Sequence, residues 1–372
     1  MVMAVDFIPP AKPIIGEEER TAVDRVLRSG MIAQGPEVAQ FEKEFSKHFV
    51  LGRETVALNS GTSGQHLGLL AAGVGAGDEV IVPSFTFAAT GNSVALTGAT
   101  PVFADIEADY FTLDPESVRA AITPRTKGIM PVHLYGHPFL VDQIEVIAHE
   151  YGLAIYEDAA QAHGATWNGR PVGTIGDFAM FSLYPTKNMT SGEGGMVSCA
   201  SGEIARNVRL LRNQGMEKQY ENEVVGFNTR MTDIHAAIGR VQLTKVDAWT
   251  EERKRNASVL NEGLAGIAGV VTPKVAEGAV HVYHQYTIRV DAAERDRMQT
   301  VLREEHGIGT GVYYPIPNHR LPSLASYAPG LELPETERAA AEVLSLPVHP
   351  SLSEGDLDRI IAGVAAIASA GA

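Results

Sequence analysis

From Glu17 to Arg28 the apolar residues Val23, Val26 and Leu27 recur at helical spacing, and Gly30 follows as a C-terminal signal. Short apolar runs and helical stretches then alternate. Runs at Thr55–Leu58, Glu79–Val82, Pro101–Ala104 and Gly128–Val132 are interleaved with predicted helices over Thr62–Ala72 and from Pro115, the latter behind the cap Asp114. A predicted helix over Leu140–Tyr151 stops at Gly152 and is followed by runs at Leu153–Tyr156, Phe178–Ser182 and Gly195–Cys199. Alternation of this kind predicts βαβ units, hence an α/β fold with a mostly parallel sheet covered on both faces.

Beyond Thr232, a plausible N-cap, the pattern stays helical through Ile234, Ile238, Val241, Leu243 and Val246 towards Leu264. So long a helical segment commonly bridges two domains. A strand-like VYHQYTIRV (Val282–Val290), a helix over Ala293–His306 closed by Gly307, a strand near Val312 and terminal helices follow. The expected domains are 1–250 and 251–372.

Composition narrows the function classes. The 372 residues carry 30 Lys+Arg against 45 Asp+Glu, a net charge of −15 that repels phosphodiesters over most of the surface. A nucleic-acid partner is not expected, although a local cleft for one small anion stays allowed. The single cysteine, Cys199, has no intramolecular partner, and no Cys/His cluster has zinc-ligand spacing. These features point to a reducing cytoplasm and to no metal. Asp6, Pro9 and Pro10 interrupt the N-terminal apolar run, which speaks against a signal peptide. The uncharged window Val80–Ala104 is too rich in Ser, Thr, Asn, Gly and Pro for a membrane span and reads as buried strands and loops. The tail IIAGVAAIASAGA is too short for one and reads as a packed helix.

Ligands of open parallel sheets collect at the carboxyl ends of the strands, so the residues just after each run are the ones that carry chemistry. After Thr55–Leu58 comes Asn59-Ser60-Gly61-Thr62-Ser63-Gly64, a small turn that opens a helix. Its free amides and the helix dipole make an anion seat to which the hydroxyls of Thr62 and Ser63 can add; an ordinary capped helix start is the plain alternative. After Leu153–Tyr156 comes Glu157-Asp158, an acid position that could bind a metal, cap a helix or partner a cationic ring nitrogen. After Phe178–Ser182, Lys187 stands between Pro185 and a glycine-rich turn. Lysines are seldom buried without a partner, and a buried one with a lowered pKa is the Schiff-base former of carbonyl chemistry.

Six motifs in one order, SGTSG, PSFTFAATGNS, PVHLYGHP, EDAAQAHGA, FSLYPTKNMTSGEGG and GFNTRMTDIHAAIG, resemble those of the nucleotide-sugar aminotransferases of the DegT/StrS type. These are pyridoxal-phosphate (PLP) enzymes of fold type I, the aspartate-aminotransferase fold. The similarity runs from about Pro9 to the region of Pro322. It implies a large PLP-binding domain around a mainly parallel sheet of the seven-stranded type, a smaller α+β C-terminal domain, and a homodimer with shared active sites. By the same resemblance Lys187 forms the Schiff base with PLP, Asp158 keeps the pyridine nitrogen protonated, and Gln161 lies near the ring hydroxyl. Gly61, Thr62 and Ser182 match positions that grip the phosphate, beside Ser63; Phe87 matches a ring that covers the PLP face. Asn228 matches an asparagine reaching the phosphate of the partner subunit's cofactor.

The chain departs from the pattern at Tyr184, where many relatives have histidine, at Gly64, where alanine is usual, and at Met189, where a β-branched residue is common. Tyr184, Tyr314 and His319 are the candidate substrate contacts, with Tyr313 beside them. His137 and His163 read as buried, hydrogen-bonded structural histidines. The resemblance thus implies transfer of an amine from an amino acid, L-glutamate by preference, to a keto group of a nucleotide-activated deoxysugar. A cyclitol or aminobenzoate-type acceptor, a sugar dehydratase and a regulator that only binds PLP or a sugar nucleotide are the alternatives. The dehydratases replace the lysine that is present here, and Cys199, in a predicted strand, does not suit desulfurase chemistry.

Overall fold

The computed structural model describes residues 6–370. Met1–Val5, part of the stretch weighed against a signal peptide, and the last two residues of the C-terminal tail lie outside the described residues. Seven strands form the main sheet: β1 (Glu54–Leu58), β2 (Glu79–Pro83), β3 (Thr100–Ala104), β4 (Thr126–Ile129), β5 (Ala154–Asp158), β6 (Phe178–Ser182) and β7 (Gly195–Cys199). Their order across the sheet is β1-β7-β6-β5-β4-β2-β3. Neighbours from β6 to β3 pair in parallel, whereas β7 is antiparallel to both β6 and β1. The reason is the connection: no helix crosses over between β6 and β7, and a loop alone can return the chain only antiparallel. That loop, Leu183–Gly194, carries Lys187.

Every residue of β2, β6 and β7 is buried, as expected of a sheet covered on both faces. One face packs against Val38, Phe41, Phe45 and Phe49 of the helix Pro36–Phe49. The other packs against Leu67 and Leu69 of the helix Gly61–Ala71 and against Val208 of the helix Gly202–Arg212. Small residues set the spacing: a Cβ at Gly68 would stand 2.6 Å from the Phe178 ring. Side-chain caps begin the helices Gly61–Ala71 and Pro115–Ala121, with Ser60 accepting from the Ser63 amide and Asp114, the cap the sequence indicated, from those of Glu116 and Ser117.

The helices Pro36–Phe49, Ala89–Leu96 and Gly202–Arg212 fall outside the expected set. Ala89–Leu96 lies in the window expected to hold only strands and loops; its small, nearly uniform residues carry no helical period. The long helix after Thr232 is two, Asp233–Leu243 and Val246–Leu264. At the break the Thr244 hydroxyl donates to the Val241 carbonyl at 2.7 Å, and Lys245 reaches Glu19 at 2.8 Å and also pairs with Glu18. The strand expected over Val282–Val290 is confined to Tyr286–Val290, because Tyr283 turns the chain at φ 44°. Near Val312 only an isolated bridge forms, between Gly311 and Ser345.

A second, smaller core is built on an antiparallel sheet of Val270–Val271, Tyr286–Val290 and Val343–Leu346. The helix Val246–Leu264 crosses the expected boundary, giving Val246 to the first core and Ala257, Leu260 and Leu264 to the second. Packing follows no single cut in the sequence. Ile8 joins the second core, whereas Leu324 and Leu333 return to the first, and Ala279–Val280 pairs with Thr166–Trp167. No described helix is long and apolar enough to cross a membrane.

Candidate active site

A cleft of roughly 500 Å³ opens over the carboxyl ends of β5 and β6 and is closed on its far side by Tyr313, Tyr314 and Ser345–Leu346. The topology dictates its contents. β5 ends in Asp158, β6 ends in Ser182, and the return loop to β7 brings Lys187 back over them. β1 leads into the helix Gly61–Ala71, whose first amides, at Gly61 and Thr62, have no intrahelical acceptor and face the same cleft.

Asp158 is 4% exposed and is held by donors only. Its Oδ2 accepts from Gln65 Nε2 at 2.5 Å and Thr90 Oγ1 at 2.8 Å; its Oδ1 accepts from the Ala160 amide at 3.1 Å. A carboxylate has about four acceptor sites, so one remains, on Oδ1. Lys187 is half-buried, and desolvation lowers its pKa from 10.5 to about 8, with the charge of Asp158 opposing the fall. An amine lowered this far titrates near neutrality and can act as nucleophile and as base.

Gln161 is fixed at both ends: its Oε1 accepts from the Tyr135 amide at 2.6 Å and its Nε2 donates to Tyr314 Oη at 3.0 Å. Burial raises the Tyr314 hydroxyl pKa well above the ordinary phenol value, so it stays protonated. Phe87, 59% exposed, lines the mouth with its ring 6.0 Å from that of Tyr314. Tyr184, 48% exposed, and Thr186 also line the cleft.

Of the residues singled out in the sequence, Gly61, Thr62, Phe87, Asp158, Gln161, Ser182, Tyr184, Lys187 and Tyr314 come together on this cleft. Three do not line it. Ser63 turns into the cap, its hydroxyl 3.0 Å from Ser60 Oγ. His319 is buried, with Nδ1 on Ser84 Oγ at 2.7 Å and Nε2 on Glu337 at 3.1 Å, so both ring nitrogens are engaged away from the cleft. Asn228 is exposed, and its backbone pairs with Asn213. His137 is the expected structural histidine, bonded to Pro138 O and the Ala276 amide. His163 departs from that expectation: it is buried among Phe45, Phe49 and Phe181, neither ring nitrogen has a hydrogen-bond partner, and burial lowers its pKa to about 3.

Gln65, Thr90, Glu193, His284 and Gln285 also line the cleft and were not foreseen. A signal existed for Gln65, a polar residue on the buried stripe of its helix. None existed for Gln285, which follows the positive-φ turn at Tyr283. Among the described residues no group of His, Cys, Asp and Glu could hold a metal ion.

The model of the DegT/DnrJ/EryC1/StrS aminotransferase family matches residues 13–365. The chain is 43% identical to the pleiotropic regulatory protein of Geobacillus stearothermophilus, over 92% of each chain. It is 42% identical to the dTDP-3-amino-3,4,6-trideoxy-alpha-D-glucose transaminase of Streptomyces venezuelae, over 93% of this chain and 91% of that one. The crystal structure of S. venezuelae DesV in complex with a ketimine intermediate superposes with a TM-score of 0.92 and 40% identity, covering 97% of this chain and 99% of that one. A lysine, an acid and a helix start meeting over a largely parallel sheet, together with a family match over nearly the whole length, make this chain a member of the DegT/DnrJ/EryC1/StrS aminotransferase family.

Proposed function

We propose that this chain is a PLP-dependent aminotransferase that moves an amine from an amino acid, L-glutamate by preference, to a keto group of a nucleotide-activated deoxysugar. The observation that carries the reading is the pairing of Lys187, its amine lowered to about 8, with a donor-held Asp158 across one cleft. The donor set fits the cofactor. One open acceptor site on Asp158 Oδ1 suits a ring N–H, the Gly61 and Thr62 amides with Ser182 suit a phosphate, and the exposed face of Phe87 suits a flat ring. PLP, when bound, supplies the electron sink that amino transfer requires. Asp158 holds the proton at the ring nitrogen, Gln161 orients the ring edge, and Lys187 Nζ takes and returns the proton that moves during transfer. Tyr184 and Tyr314 line the space left for the acceptor.

A homodimer completes this reading. Asn228, exposed on its own subunit, is assigned to the phosphate seat of the partner, so the interface is isologous. The cytoplasm is the assigned compartment, in keeping with a single, buried cysteine.

The test is to load the protein with PLP and glutamate, follow the loss of the cofactor's long-wavelength band, then add dTDP-, GDP- and UDP-linked ketosugars in turn. Loss of the band with glutamate and its return with one ketosugar supports the proposal. Return with a cyclitol ketone alone moves the acceptor to that class. A protein that only binds its ligand, as the name of the Geobacillus relative invites, leaves the band unchanged.

A further inference from the structure

Asp158 is held in place by side chains from two other elements that line the same cleft. Gln65 is 1% exposed and projects from the second turn of the helix Gly61–Ala71. Its Nε2 donates to Asp158 Oδ2, while its own Oε1 is buried without a hydrogen-bond partner. A carboxylate only accepts, so the amide nitrogen is the end that must face it. The single bond that this side chain makes is therefore the one to Asp158. Leaving a buried amide oxygen unsatisfied is unfavourable, and nothing else in the surroundings of Gln65 uses its polarity.

Thr90 donates to the same oxygen from the start of the helix Ala89–Leu96. Together the two donors occupy Oδ2 and leave the remaining acceptor site on Oδ1. Each donor also stabilises the charged carboxylate over its protonated form. We propose that Gln65 is a positioning residue, whose amide fixes the plane of the Asp158 carboxylate, so that a proton shared with a cofactor ring nitrogen stays on the ring. This rests on the cofactor reading above and adds to it a determinant on a different element from Asp158 and Lys187.

The consequence is directional. Removing the Gln65 donor takes away one of the hydrogen bonds that the Asp158 carboxylate accepts, so the shared proton moves from the ring nitrogen towards the carboxylate. The experiment uses the full-length protein loaded with PLP labelled with 15N at the ring nitrogen, whose resonance reports whether that nitrogen carries a proton. In the wild type the resonance should keep its protonated position from pH 6 to pH 9. In Gln65→Leu it should move towards the unprotonated position, with the rate of the glutamate half-reaction falling on the order of tenfold, the equivalent of about one pKa unit. Gln65→Glu makes the same contact donate only while the introduced carboxyl holds its proton. Its resonance should therefore follow the wild type at low pH and Gln65→Leu at high pH, a pattern that a purely space-filling role does not produce.

A Gln65→Leu resonance that coincides with the wild type at every pH overturns the proposal while leaving the cofactor reading intact. If Gln65→Leu does not fold, Gln65→Glu decides alone, and a resonance that stays at the wild-type position across the range overturns the proposal. Failure of the wild type to bind PLP overturns both readings.

Discussion

Replacing Lys187 with methionine should make the cofactor-free protein more stable, and by an amount that depends on pH. The lysine is held in a half-buried position at which burial lowers its pKa from 10.5 to about 8. At roughly 1.4 kcal/mol per pKa unit the full difference is about 3 kcal/mol, and water in the cleft screens part of it, leaving about 2–3 kcal/mol. The folded-state pKa is the lower one, so between pH 8 and 10.5 the unfolded chain binds more protons and wild-type stability rises with pH. Below pH 8 the whole penalty is present; by pH 10 roughly a quarter of it remains. Lys187→Met keeps the unbranched chain and removes the charge, so its advantage should be largest at pH 7 and small at pH 10. Urea unfolding of both proteins at matched concentration, at the two pH values, measures it, and the difference between them cancels the titration of every other group. An advantage that is the same at pH 7 and pH 10, or a variant less stable than wild type at pH 7, would refute the argument that the fold holds this amine at a cost in stability, in keeping with the trade-off between stability and active-site function.

Asp158→Asn should retain PLP weakly and lose activity by orders of magnitude, since a neutral amide cannot hold the ring proton; steady-state turnover within about threefold of wild type, roughly 0.6 kcal/mol of barrier, would make Asp158 a structural residue only. Asp233→Ala should destabilise the fold by about 3 kcal/mol in urea, because Asp233 accepts from the amides of Gly35, Glu37 and Val38 at 2.8, 3.2 and 3.0 Å and so caps the helix Pro36–Phe49 from a distant element. A loss below about 0.5 kcal/mol, the level of an ordinary surface change, would show that these bonds are replaced by water. Mixing inactive Lys187→Ala with Asn228→Ala, the latter chosen if impaired in PLP binding, should restore activity in heterodimers, one site carrying both defects and the other neither. Mixed dimers that form without recovery beyond the mean of the parents exclude an Asn228 that acts across the interface.

Much of this molecule is legible along the chain because its signals are local. A strand followed at once by Asp158, and the Ser60 cap opening a helix at Gly61, involve residues a few positions apart, where dihedral preference and capping act directly. The helix Pro36–Phe49, outside the expected set, carries a signal of the same local kind, with Pro36 at its start and Val38, Phe41, Phe45 and Phe49 on one stripe. What the chain alone could not determine is which distant side chains meet. Gln65 and Asp158 are 93 positions apart, Thr90 and Asp158 68, and Gln161 and Tyr314 153, and no local preference encodes such pairings. His319 has the composition of a site residue, but Ser84 and Glu337 draw its ring away from the cleft. The motifs therefore determined the chemistry available to this protein. Tertiary packing decided how that chemistry is oriented, because a carboxylate's direction and an amine's pKa are properties of the groups that surround them in space.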